Sequence, residues 1–158
     1  MSLLEFCQWL QFSPPLVAMR GSPWLFPVIA TIHLMGLSVI GGAVLLVDLR
    51  LLGFGLRRQP VAQLARDAER WLFRGLLVMV STGIPLFMCF ATKYYYLTFF
   101  WVKMAALLLV IAFTVSVRRS VAMADDTRTS PVRARIVAVV SLSLWTTVAL
   151  GGRYIGFP

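Results

Sequence analysis

Charge is what this chain has least of. Only 13% of its residues are charged and 59% are hydrophobic, against roughly 25% and 45–50% in ordinary soluble domains. Histidine occurs once, at His33, and cysteine twice, at Cys7 and Cys89, in 158 residues. There is no CxxC pair, no HExxH and no glycine-rich phosphate loop, so zinc chemistry and nucleotide hydrolysis lack the residues to carry them. A Ser–His–Asp relay is excluded too, because Asp48 lies about four helical turns from His33, beyond hydrogen-bond reach. Period-two alternation is also missing, and with it any membrane β-barrel.

What the chain does have is long uninterrupted apolar runs. Hydrocarbon offers no partner to backbone N–H and C=O groups, so such runs cross a bilayer as helices, which bond internally. At about 20 residues per crossing the spans fall at residues 24–47, 75–92, 99–117 and 136–155, joined by short connections. The expected fold is all-α: a four-transmembrane-helix bundle over residues 1–158 as a single membrane domain in a lipid bilayer. Before it, "SLLEFCQWLQF" sets Leu3, Leu4, Cys7 and Leu10 on one face and is followed by "SPP", which reads as a short interfacial helix and its stop. No basic stretch precedes the first apolar run, so no cleavable signal peptide is visible.

The net charge of +9 raises nucleic acid as a partner, but the arginines lie where membrane topology puts them. Arg50, Arg57, Arg58, Arg66 and Arg70 fall between spans one and two, and Arg118, Arg119, Arg128, Arg133 and Arg135 between spans three and four. By the positive-inside rule both loops are cytoplasmic, and both termini face outward, into the periplasm if the membrane is a bacterial inner membrane. The first loop, with Val61, Leu64 and Ala65 among its charges, suits an amphipathic helix on the cytoplasmic surface whose arginines meet anionic headgroups. Asp125 and Asp126 in the second loop lack the further oxygens that a hard cation needs. Cys7 and Cys89 would share the outer side, where a disulfide is conceivable, yet two buried free thiols fit the residue type better.

Ionisable side chains inside spans are costly and usually face the bundle interior or a pathway. His33 lies about nine residues, or roughly 14 Å, into the first span. Lys103 is near the outer start of the third span, and Arg153 near the outer end of the fourth. An imidazole near mid-depth beneath two cations is the arrangement a haem b requires, with histidine on the iron and Lys or Arg on the propionates. Gly36, Gly41 and Gly42 would permit close approach, and Trp145 and Ala149 precede Arg153 on one stripe. With one histidine, a second axial ligand must come from Met88 or Met104 or from another chain, Met35 pointing to a different face. Pro85, with Gly83, should kink the second span, where Ser81 and Thr82 can re-satisfy the backbone. "TKYYYLTFFW" reads as an aromatic belt at the interface.

Three segments, "TIHLMGLSVIGGAVLLVDLRLLG" (Thr31 to Gly53), "FWVKMAALLL" (Phe100 to Leu109) and "LWTTVALGGRYIGF" (Leu144 to Phe157), together resemble an uncharacterised family of small bacterial four-helix membrane proteins. The pattern of a histidine in the first span, F-x-x-K opening the third and G-R late in the fourth is also loosely similar to copper-resistance D-type membrane proteins and membrane b-type cytochromes. Those carry several histidines where this chain has one, which argues against copper transport and against electron transfer through two haems.

The leading expectation is a homo-oligomeric membrane protein holding one haem b per protomer near its outer face, for electron relay to an unknown redox partner or a haem-dependent oxidoreductase reaction. His33 is the axial ligand, Lys103 and Arg153 are the propionate partners, Trp145 lines the site, and Met88 or Met104 supplies a second metal ligand. Copper on His33, Met88 and Cys89 is a minor variant. The rivals are a transporter or channel with a polar path past His33, Pro85 and Lys103, and an assembly subunit in which His33 bonds a carbonyl such as that of Ser81.

Overall fold

The computed structural model describes residues 2–54, 60–124 and 130–155, and every regular element among them is helical. Arg57, Arg58, Asp125, Asp126 and Arg128 lie outside the described residues.

The N-terminal segment forms two short helices where one was expected. In α1 (Leu3–Gln11) the Ser2 hydroxyl accepts from the Glu5 N–H and the Glu5 carboxylate accepts from the Ser2 N–H, a reciprocal cap that fixes the start. The "SPP" that ends α1 also begins α2 (Pro14–Gly21), because proline at the first helical position gives up only an N–H that would have had no partner. Cys7, Leu16 and Met19 turn inward, Leu3 turns outward, and Thr92 N–H donates to the Gln11 side chain at 2.9 Å. Both cysteines are buried and unbonded.

Four stretches are long and apolar enough to span a membrane: α3 (Leu25–Leu51), α4 (Val61–Cys89), the run Thr98–Met123 and α8 (Pro131–Ile155). A short α5 (Ala91–Tyr96) follows α4. The third span is composite, with α6 (Thr98–Phe113) leading into a π-helical turn (Thr114–Arg118) and then α7 (Arg119–Met123). At about 1.5 Å per residue, the 27 residues of α3 outreach the roughly 30 Å of hydrocarbon.

The apolar set at 61, 64 and 65 does not form a separate surface helix. It belongs to the first turns of α4, and Val61, Ala65 and Ala68 are buried together with Val47, Leu51, Val121 and Val137. Because α4 runs on without a break, its i, i+4, i+7 stripe meets α3 and α7 instead of headgroups.

The spans pack in the order α4, α3, α8, α6, with α3 and α8 in the middle. The outer spans α4 and α6 are not among the closely packed pairs. At the end that carries both termini, Phe87 of α4, Tyr94 of α5 and Phe100 of α6 stack, with ring centroids 5.1 Å apart for Phe87–Phe100 and 5.7 Å for Tyr94–Phe100. At the opposite, loop-bearing end, α7 leans onto α4. Between these ends Met79 of α4 shares an apolar cluster with Ala106 and Val110 of α6.

The tightest crossing is α3 on α4, and glycine makes it possible. A Cβ at Gly75 would stand 2.7 Å from Ile40 Cγ1 and 3.1 Å from the Gly36 carbonyl oxygen, and one at Gly36 would stand 3.1 Å from Val78 Cγ1. In a bilayer, where lipid is as apolar as leucine, such close backbone contact replaces the missing hydrophobic drive. Gly41 and Gly42 differ, since a Cβ at either meets nothing within 4 Å. Gly75→Ala is therefore expected to cost about 1–3 kcal/mol by overpacking, while Gly42→Ala is neutral or gains up to about 1 kcal/mol in helix propensity. Unfolding of both variants in detergent would separate the cases, and equal effects would refute the assigned crossing.

Candidate polar sites within the bundle

His33 faces α4 one turn toward the terminal end from the glycine crossing. Its Nδ1 is 2.9 Å from Thr82 Oγ1, and Thr82 donates its one hydroxyl proton to the Val78 carbonyl. With the hydroxyl proton on the Val78 carbonyl the His33 contact runs the other way, Nδ1–H donating to the hydroxyl oxygen; with that proton turned to Nδ1 the ring N–H lies on Nε2. The first arrangement puts the neutral ring's lone pair on Nε2, the state a metal ligand needs. Gly83 makes room for the ring, since a Cβ there would stand 3.1 Å from His33 Cε1. The Met79 carbonyl also polarises the imidazole from α4.

Lys103 comes to the same level from α6, and its charge reaches the imidazole. Its stem lies on α8, where a Cβ at Gly151 would be 3.1 Å from Lys103 Cβ and one at Gly152 would be 3.5 Å from Nζ. The ammonium thus rests over the last turn of α8, the end where a helix dipole favours a cation. The Phe87–Tyr94–Phe100 stack lies one to two turns nearer the terminal end, above both residues.

Trp145 is 8% exposed and packs with Ile40, Met79, Ala106 and Val148. Its indole N–H is buried without a hydrogen-bond partner. The expected stripe 145–149–153 is not the inward face of α8, however. The buried positions are Ser141, Trp145, Val148 and Gly151, while Ala149 and Arg153 are exposed, because the contact line on α6 and α3 follows spacings of three and four. Arg153 is thus on the outside of α8, next to Tyr154, which stacks on Phe99 at 5.3 Å.

The methionines separate as well. Met88 packs with Leu16, Met19 and Cys89 under the N-terminal helices, six residues and about 9 Å along α4 from the Thr82 that holds His33. Met104 is half-buried beside Lys103, and Met35 is exposed. Among the described residues no three of His, Cys, Asp and Glu are grouped to hold a metal ion. Near Pro85, the Ser81 hydroxyl donates to the Leu77 carbonyl at 2.8 Å and Thr82 to that of Val78, one turn earlier than the carbonyl the proline releases.

A second polar group went unforeseen. Asp48, fully buried, accepts from Arg118 Nε at 2.7 Å, and Arg118 Nη2 donates to the Val44 carbonyl at 3.3 Å. The side chain of Arg118 is 8% exposed. The π-helical turn that ends at Arg118 supplies the extra residue per turn that carries the guanidinium inward, and π turns of this kind recur at functional sites. Asp48 Oδ2 and Ser141 Oγ are buried with no partner of full hydrogen-bond geometry, although the Ser141 hydroxyl is close enough to act on the carboxylate. The signal available in sequence was an acid and a base at the same end of two apolar runs.

Fold and site together define an integral membrane protein of four spans with two internal polar levels, one holding His33, Thr82 and Lys103 and the other Asp48, Arg118 and Ser141. The chain belongs to DUF6644, a family of unknown function, whose model matches residues 26–158. No curated protein and no solved structure matches it.

Removing one member of a buried ion pair strands the other charge, at about 3–5 kcal/mol, whereas apolar replacement of both is close to neutral. Asp48→Leu and Arg118→Leu are each expected to destabilise by that amount, and the double variant to recover most of it. A double-mutant cycle in detergent that showed simple additivity would mean the two are not coupled.

Proposed function

We propose that this protein is a b-type haem protein of the bacterial inner membrane, with one haem per protomer at the level of His33 and its termini in the periplasm. The observation that carries the reading is the His33–Thr82–Val78 chain of hydrogen bonds, which holds the imidazole in place and accommodates the tautomer with its lone pair on Nε2. Three features support the fit of a haem. Lys103 stands at the same level to pair with a propionate, Gly83 and Gly152 leave α4 and α8 without side chains there, and the unpartnered Trp145 N–H offers a buried donor below. A haem held there would supply one-electron transfer.

The residues divide the work. Thr82 orients the ring and keeps its proton on Nδ1, Lys103 balances anionic charge, and the Phe87–Tyr94–Phe100 stack excludes water from the terminal side. The outer side of the α4–α6 seam would face a second copy or lipid. Both basic loops would face the cytoplasm by the positive-inside rule.

The second polar level favours one rival, a path for protons or a small ion running from Lys103 and His33 toward Asp48 and Arg118. A visible spectrum of the detergent-purified protein, before and after dithionite, separates the two. The expected result is a Soret band with α and β bands that sharpen on reduction, absent from His33→Ala. Thr82→Val is expected to retain haem roughly 10–100-fold less well, the usual loss when a ligand's hydrogen-bond partner is removed. Protein that stays colourless after expression in haem-supplemented cells would overturn the haem reading in favour of the path.

A further inference from the structure

The third span does not reach the loop-bearing end as one α-helix. Its segment Thr114–Arg118 is π-helical and holds one more residue than α geometry would, so everything beyond it is turned by the angle of one residue, about 100°. The turn has two results. Arg118 meets the buried Asp48, with Nε–H donating at 2.7 Å and Nη2 reaching the Val44 carbonyl at 3.3 Å. Beyond it, Val121 and Ala122 of α7 are buried in one cluster with Val61, Ala65 and Ala68 of α4. Little else fixes that direction. At five residues α7 is too short to hold a helix by itself, and its ion pair from Arg119 to Glu69, 3.3 Å long, is about half exposed at both side chains, where such pairs contribute little.

We propose that Asp48 and Arg118 form a latch on the third span. While paired, they hold the turn π-helical and α7 closed on α4; when they part, the turn relaxes to α-helix, carries Val121 and Ala122 away from α4, and opens the loop-bearing end toward the level of Asp48. The closed form works against two costs. Long runs of α-helix seldom adopt π geometry outside functional turns, and Thr114, the first residue of the turn, keeps its hydroxyl buried without a partner. Most other span hydroxyls, those of Thr31, Ser38, Ser116, Ser143 and Thr147 among them, donate to the carbonyl four residues back. The latch is independent of the haem reading, since it lies at the opposite end of the bundle from His33. In the rival reading it gates the loop-bearing end of the path.

The test places a cysteine at Val121, a change of nearly equal volume, and follows its reaction with a maleimide in the purified protein in mild detergent, the labelled residue being identified by peptide mass. Cys7 and Cys89 are buried at the terminal end, and Arg133→Cys, exposed at the loop-bearing end, sets the unprotected rate. With Asp48 intact, Val121→Cys is expected to react slowly. Asp48→Asn keeps the shape of the side chain and removes its charge, and is expected to speed the reaction about tenfold or more, because labelling of a buried site follows its local opening equilibrium. Deleting Val115, an exposed residue of the π turn, distinguishes a latch from general loosening. Without the extra residue, an unbroken α-helix presents Arg118, Val121 and Ala122 in the closed direction whether or not the pair forms. In that background Asp48→Asn should leave position 121 protected. The proposal is overturned if Asp48→Asn leaves Val121→Cys as slow to react as before, or if the deletion fails to restore protection, since a bundle loosened by an unpaired arginine would label in both backgrounds.

Discussion

The crossing of α3 and α4 at Gly36 and Gly75 is the contact on which the rest of the arrangement depends. It brings two backbones so close that any side chain at Gly75 would collide with Ile40, and it sets the register that carries His33 to Thr82. Three residues from Gly36 on α3, and seven to eight from Gly75 on α4, the same pair of helices has room for an imidazole only because position 83 is glycine as well. Packing of this kind is the main adhesive between helices in lipid, where burying leucine against leucine gains little over leaving it in hydrocarbon.

Polar groups are then distributed at two depths, each solved differently. The loop-end level neutralises its charges internally, with Asp48 and Arg118 satisfying each other and Val44 contributing a carbonyl. A fully buried pair of this kind seldom adds stability over an apolar equivalent, so its presence in a bundle that could be wholly apolar argues for a role beyond holding the spans together. The terminal-end level contains no acid among the described contacts of His33 and Lys103. An imidazole with one nitrogen engaged, a half-buried ammonium and an orphaned indole N–H form a set that lacks an anion and an acceptor. That imbalance is what an anionic prosthetic group with a Lewis-acidic centre would correct.

The four spans were legible because composition and run length suffice to find them. Their ends were not: Val61 to Arg74 contains charges at a density that reads as surface, yet α4 runs through it, since its apolar stripe has α3 and α7 to pack on beyond the membrane boundary. His33 and Lys103 stood out as ionisable residues in hydrocarbon, and they do share a level. Arg153 was placed with them by its depth and by a 145–149–153 stripe, and neither fixes azimuth over two turns. A residue at i+8 from Trp145 has advanced about 80° around the helix, enough to carry Arg153 out of the buried stripe. The Asp48–Arg118 pair was hidden for a related reason. Each residue, taken singly, sits at a span end where charge is ordinary, and nothing in the sequence announces the π-helical turn that brings Arg118 inward.

The seam between α4 and α6 follows from the same geometry. With α3 and α8 packed in the middle, the outer spans meet through the Phe87–Tyr94–Phe100 stack at one end, through the cluster of Met79 with Ala106 and Val110 at mid-span, and through α7 on α4 at the other end. In a bilayer, lipid tails can cover the outer side of such a seam at little cost. What distinguishes it from an ordinary lipid-covered seam is its chemistry. Hydrocarbon cannot answer a nitrogen lone pair, an ammonium and an indole N–H at neighbouring depths, so a ligand able to satisfy all three gains more from entering than an acyl chain does. The proposal of a flat, mostly apolar molecule with an anionic edge rests on these unmatched polar groups.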